Sequence, residues 1–319
     1  MKKGLIITGA VLLFLGAVLF TVAFAVSGFS FSGLDRSRYE ENTYTPRGSF
    51  NRIEIKTVEA DVRLLASTDN FLKVDCVELE TEKHTVTVEN GILKIEAQDK
   101  RTWYDRVTFF SAKPQSVTVY LPANTYDSLN LTTGTGSVSV SEALRFIQAD
   151  IRGSTGDVKI ASSVEGTLRI KTSTGDVRVT DAEAENLEIS VSTGRVECRN
   201  IKCKKDFSVT VSTGRASLED VTCTSFVSEG STGELKLKNT AASASINIRR
   251  NTGDVKFDRC DAVEISVRTS TGDVSGSLLS SKSFVTKTST GKINVPESSG
   301  SGICRITTST GDIDIEIFS

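Results

Sequence analysis

The sequence predicts an all-β fold: a β-solenoid (β-helix-like) of about ten rungs, 19 or 20 residues each, with an N-terminal β cap and one transmembrane helix ahead of it. Three observations carry that expectation. A Ser-Thr-Gly tripeptide or a close variant recurs through roughly the last 190 residues, apolar and polar residues alternate on either side of each copy, and a long uncharged stretch follows the first lysines.

In chain order, residues 1–4 form a short tail carrying Lys2 and Lys3, expected on the cytoplasmic side. Leu5 to Val26 contains no charge, and only Thr8 and Thr21 are polar. About 22 residues at 1.5 Å each are enough to cross the hydrocarbon layer. The paired lysines favour an inside N-terminus, which places everything after Val26 on the outer face. Ala23, Phe24 and Ala25 resemble a signal-peptide cleavage site, so removal of the segment is the alternative. The apolar run is longer than a signal-peptide core, which favours an uncleaved signal anchor.

Residues 27–49 are polar, rich in Ser, Gly, Arg and Glu, and without period, the composition of a stalk. Order is expected to resume over 50–130. Ile53, Ile55, Val62 and Leu64 alternate around Glu59, Ala60 and Asp61, a degenerate rung with Ala60 where later rungs have glycine. Leu72 to Leu79 and Thr85 to Ala97 read as strands, with Asn90-Gly91 as a tight hairpin turn, and Ser116 to Leu121 is a further strand ended by Pro122. This region would cover one open end of the stack.

Residues 131–319 hold the repeats, with corner glycines at Gly136, Gly156, Gly175, Gly194, Gly214, Gly233, Gly253, Gly272, Gly291 and Gly311. Around Gly175, Leu168 and Ile170 precede and Val177 and Val179 follow at the period of half-buried strands; Ile246, Ile248, Val255 and Phe257 repeat the frame around Gly253. Each unit is two short strands and a bend that glycine can enter at positive φ. A unit this short encloses no core alone, but stacked units bury a continuous apolar column. Val164, Ile201, Cys203, Val221, Cys223, Ala262 and Leu279 are expected to line a third wall, and ten rungs would make a rod about 45 to 50 Å long.

Composition agrees with this and excludes some functions. The chain has 319 residues, 38% of them hydrophobic, and a formal charge of −2. Basic residues alternate with acids and form no stripe of the kind that binds nucleic acid. No phosphate-binding loop, dinucleotide fingerprint or zinc-protease motif occurs, so no cofactor is expected.

The N-terminal anchor, the strand ending in Val119, Tyr120, Leu121 and Pro122, the following Leu129, Asn130 and Leu131, and the repeated Thr-Ser-Thr-Gly-Asp-Val corner together resemble a bacterial β-strand-repeat family. Its members are labelled, by conjecture, adhesins. The resemblance covers roughly residues 50 to 319. It implies a bacterial cell-envelope protein, single-pass in the membrane with the β domain outside, and it supplies no catalytic residues to transfer. The chain departs from the commonest repeat at Arg195, Arg215, Glu234 and Lys292, where that repeat has Asp.

Several constellations invite a chemical reading. Asp157, Asp176, Asp254, Asp273 and Asp312 should share one row, where they could hold calcium or simply satisfy turn backbone; the interruption at Arg195 and Arg215 favours the latter. Thr135, Thr155, Thr174, Thr193, Thr213, Thr232, Thr252, Thr271, Thr290 and Thr310 form a ladder similar to the threonine rows of ice-binding solenoids. Its second column is broken by Gly153, Val191, Val211, Gly230 and Arg250, so cross-strand stacking accounts for it better than ice binding. Cys203 and Cys223 occupy one position in adjacent rungs and could form a disulfide, although buried thiols are favoured. His84, the only histidine, reads as an exposed strand residue rather than a general base. Trp103, Tyr104, Phe109 and Phe110, beside Lys100, Arg101 and Arg106, either plug the solenoid's end or contact a glycan, a lipid headgroup or a protein partner. The function expected is a non-enzymatic, membrane-anchored binding, adhesion or envelope-stress scaffold outside the cytoplasm. A purely structural spacer is the alternative, and an envelope enzyme a remote one.

Overall fold

The computed structural model describes residues 2–26, 38–99, 114–297 and 300–318. It contains one helix, α1 (Lys2–Val26), followed by strands only. Nearly all the described apolar side chains of α1 are exposed, Leu13 at 77% and Phe14 at 71%, so they pack on no part of the β structure. Among the described residues, no helix is long and apolar enough to cross a membrane.

The β region begins with β1 (Tyr39–Tyr44), β2 (Arg52–Thr57), β3 (Asp61–Ala66), β4 (Lys73–Leu79), β5 (Glu82–Glu89), β6 (Ile92–Asp99) and β7 (Ser116–Leu121). β1 falls within the 27–49 segment expected to be a stalk. β1 pairs antiparallel with β4, from Tyr39 opposite Leu79 to Tyr44 opposite Val74. No apolar alternation marks β1, because its half-buried face is Glu40, Asn42 and Tyr44, polar side chains with polar partners across the sheet. Asn90 and Gly91 both take positive φ, 53° and 75°, and turn β5 into β6 as the Asn-Gly pair demands.

The solenoid follows as β8 (Thr125–Thr135), β9 (Val138–Val140), β10 (Arg145–Thr155), β11 (Val158–Ile160), β12 (Ser163–Thr174), β13 (Val177–Cys203), β14 (Asp206–Thr232), β15 (Leu235–Thr252) and β16 (Val255–Arg268). The last four run through corners without a break. β17 (Val274–Leu278), β18 (Lys282–Lys287), β19 (Ile293–Asn294), β20 (Gly302–Thr307) and β21 (Ile313–Ile317) complete it. Neighbouring rungs pair parallel and in register, for example Ile151 with Ile170 and Ile170 with Ile189. The inward residues form one apolar column containing the predicted Val164, Ile201, Cys203, Val221, Cys223 and Ala262. Leu279 is 48% exposed and its neighbour Leu278 is buried instead, because the β16–β17 register shifts by one between the Phe257–Gly276 and Cys260–Leu278 pairs.

Rung order in space departs from chain order at both ends. The β2–β3 rung lies between two others: β2 pairs with β6 and β8, and β3 with β7 and β9. β5 and β4 then close that end, antiparallel to β6 and β7. At the other end β20 pairs with both β16 and β18, and β21 with both β17 and β19. The outermost layer is thus β18–β19, and β20–β21 lies one layer inside, so the edge at this end of the stack belongs to β18–β19.

Candidate functional site

The repeated corner is built from backbone. The corner glycine N–H donates to the threonine carbonyl of the next rung, Gly156 to Thr174 at 3.0 Å and Gly175 to Thr193 at 3.1 Å. A β-carbon on Gly233 would overlap the carbonyl oxygen of Gly214, and φ there is +128°. Glycine is required by both close approach and conformation. The aspartates serve the same stack: Asp157 Oδ1 accepts from the Asp176 N–H at 3.0 Å, and Asp254 Oδ1 from the Asp273 N–H at 3.0 Å. Among the described residues these aspartates form no metal-ligand cluster. The departures from Asp have partners as well. Arg195 donates through Nη2 to Asp176 at 2.7 Å, and Glu234 accepts from Arg215 and Lys256 at 3.1 and 2.8 Å.

A second corner, six residues after the glycine, is not anticipated by the Ser-Thr-Gly pattern. Asp181, Asn200, Asp220, Asn239 and Arg259 take φ between 48° and 55°, the left-handed region that Asn and Asp tolerate best. Asn200 Nδ2 donates to Asp181 Oδ1, and Asn239 to Asp220, each at 2.7 Å. The recurrence of Asp and Asn at this offset is a readable signal, obscured by Arg259.

All six cysteines are buried and free, so Cys203 and Cys223 are not bridged. Cys203 Sγ donates instead to the carbonyls of Glu185 and Asp206. Burial pushes the thiols up, Cys260 to about 11 and Cys223 to about 12. Trp103, Tyr104, Phe109 and Phe110 lie outside the described residues.

The outer face of the pre-glycine wall carries an open groove of about 750 Å³, lined by Arg152, Arg169, Lys171, Glu188, Asp206 and neighbouring hydroxyl and amide side chains. Its arrangement follows from parallel register, which sets residues 19 apart side by side: Arg169 grips Glu188 through Nε at 2.7 Å and Nη2 at 3.1 Å. Arg152 is held by Asp150 of its own strand at 2.8 Å. The groove offers paired charges, several hydroxyls and the Asn186 amide, a surface able to hydrogen-bond an extended polar chain.

Inside the N-terminal cap is a different cluster. Glu78 is fully buried and accepts four hydrogen bonds: Asn42 Nδ2 at 2.8 Å and Tyr44 OH at 2.9 Å on Oε1, the His84 N–H at 2.7 Å and His84 Nδ1 at 2.8 Å on Oε2. Burial pushes this carboxyl up, but the donors, led by His84, outweigh it and hold it at about 2. His84 is 4% exposed, against the expectation of an exposed residue. The alternation of Val74, Cys76 and Glu78 already put a charge on the inward face, and a buried charge needs a buried partner.

A family model described as Toastrack DUF4097 matches residues 50–316. The chain belongs to that family. The Toastrack match leaves out β1 and runs from just before β2 into β21. No curated protein matches the chain. Crystal structures similar to it include a conjectured lipid-binding protein from Parabacteroides distasonis, at 18% identity over 75% of this chain and 96% of that one, TM-score 0.47. A conjectured adhesin from Parabacteroides merdae shows 10% identity over 88% and 97%, TM-score 0.45. One from Bacteroides fragilis shows 13% over 88% and 97%, TM-score 0.37.

Proposed function

We propose that this Toastrack protein is a non-enzymatic binding scaffold, held at the bacterial membrane by α1 and presenting its β-solenoid outside the cytoplasm. The observation that carries the reading is the contrast between two surfaces. The solenoid hides its apolar residues in one column and covers itself with ion pairs, whereas α1 exposes apolar side chains all round. A helix apolar on every side belongs in a core or a bilayer. The described side chains of α1 do not by themselves make a span, and the anchor reading rests on the uncharged run of about 22 residues from Leu5 to Val26, against about 20 needed to cross the hydrocarbon. Thr21 turns its hydroxyl back onto the carbonyls of Ala17 and Val18 at 2.7 and 3.0 Å, leaving no hydrogen-bonding demand on the surroundings. The polar groove around Arg169 is the binding face, suited to an envelope glycan or an extended protein segment.

Fractionation with protease shaving tests the placement. The full chain is expected in the membrane fraction with its β domain cleaved from the outer side of intact cells whose outer layers are opened. Recovery in the soluble fraction overturns the anchor. Capture from solubilised envelopes by the full chain tests the groove: Arg169→Glu with Arg152→Glu should lower recovery of the captured glycan or protein at least tenfold, and equal recovery by wild type and variant leaves the spacer reading.

A further inference from the structure

Among the described residues, metal-binding side chains converge in one place, the interior of the N-terminal cap. Cys76 and Glu78 stand two residues apart on the inward face of β4, and His84 reaches them from β5. One ligand atom from each lies within 4.8 Å of the other two, and all three residues are buried. The His84 side chain has no exposure, and its Nε2 has no hydrogen-bond partner.

We propose that Cys76, Glu78 and His84 form a binding site for a divalent zinc ion that ties the cap strands together. The donor set is the one zinc selects, thiolate sulfur, imidazole nitrogen and carboxylate oxygen, at about 2.3 Å for sulfur and 2.0 to 2.2 Å for the others. Ligand atoms of such a tetrahedron stand about 3.3 to 3.8 Å apart, so the present separations close with movements of about an ångström. Charge favours the divalent ion. A Cys76 thiolate and a Glu78 carboxylate together carry the opposite charge to zinc, and a neutral His84 adds none, so the filled site is neutral where burial penalises net charge.

The surroundings fit a supporting shell. Asn42 and Tyr44, both from β1, hold Glu78 Oε1, which leaves Oε2 turned toward His84. Outer donors of this kind fix the orientation of a ligating carboxylate. Binding replaces the Cys76 thiol proton, which leaves to solvent, with the metal–sulfur bond. Three protein ligands leave the fourth position to water. A hydrogen-bonded Glu–His pair alone would account for Glu78 but gives no role to Cys76, the third ligand atom of the cluster.

The test uses the full chain in detergent, stripped by a chelator and dialysed against zinc or cobalt. A single zinc ion per chain is expected, and cobalt should show thiolate-to-metal charge-transfer absorption. Cys76→Ser should lose both, Cys223→Ser should keep both, and Tyr44→Phe should bind about tenfold more weakly. Zinc X-ray absorption on the unchanged chain, which does not depend on any variant folding, should show one sulfur with nitrogen and oxygen neighbours. Absence of bound zinc, a shell without sulfur, or equal zinc in wild type and Cys76→Ser overturns the site.

Discussion

Gly233 shows how little freedom a single position has in this stack. Its positive φ suits glycine, and its missing β-carbon leaves room for the carbonyl of Gly214 in the rung beneath. Gly233→Ala is therefore expected to cost at least about 2 kcal/mol in urea unfolding. Gly153→Ala is the control: φ there is unstrained and the nearest atom to an added methyl, Thr172 Oγ1, is 3.6 Å away, so stability should stay close to wild type. The corner glycines were legible in the sequence because one backbone requirement recurs at one spacing. Glu78 and His84 were legible only in half. Alternation gave Glu78 an inward position, but the partner that makes burial tolerable comes from the next strand across a hairpin, and a local pattern does not reveal it.

Strands stacked in parallel register turn sequence spacing into contact, and the outer charges exploit this. Arg178 meets Glu197 at 2.6 Å, Arg199 meets Glu219 at 3.0 Å and Lys202 meets Glu183 at 3.0 Å. Exposed pairs contribute little one by one, so their effect is best read across a titration. A hydrogen bond from Arg195 holds Asp176 below its ordinary 3.8, and hydrogen bonds from Lys238 and Lys256 hold Glu219 and Glu234 below 4.5. Carboxyls lowered by folding contribute stability that is complete above their unfolded values and disappears as pH falls through the folded ones. The melting temperature should accordingly drop on acidification below about pH 4.5 at low salt. Replacing Arg195 and Lys256 by Met should flatten that drop, and molar salt should shrink the difference between variant and wild type. An unchanged acid profile in the variant would show that these pairs are idle.

Across the whole molecule, the inserted layers at each end are the least expected feature. Rungs in this chain resemble one another so closely that β16 can accept β18 or β20 with the same alternation, and only the three-dimensional arrangement distinguishes them. The choice leaves a trace in the ion pairs: Arg305 bonds Glu264, 41 residues away, where Arg169 and Glu188 in the middle of the stack are 19 apart and Arg199 and Glu219 are 20 apart. Ser266 and Arg305 are direct neighbours, so cysteines at both positions should form a disulfide, mapped by mass spectrometry. Cysteines replacing Ser266 and Val285 are two layers apart, about 10 Å, and should not. The reverse result would restore simple chain order.

That arrangement also governs how such a rod can change length over evolutionary time. Between β8 and β16 each layer touches only its neighbours in sequence, so a unit duplicated or lost there leaves every other pairing as it was. At either end the same event would separate an inserted layer from one of its two partners. Reach is thus free to drift in the middle, while the two terminal assemblies are inherited whole.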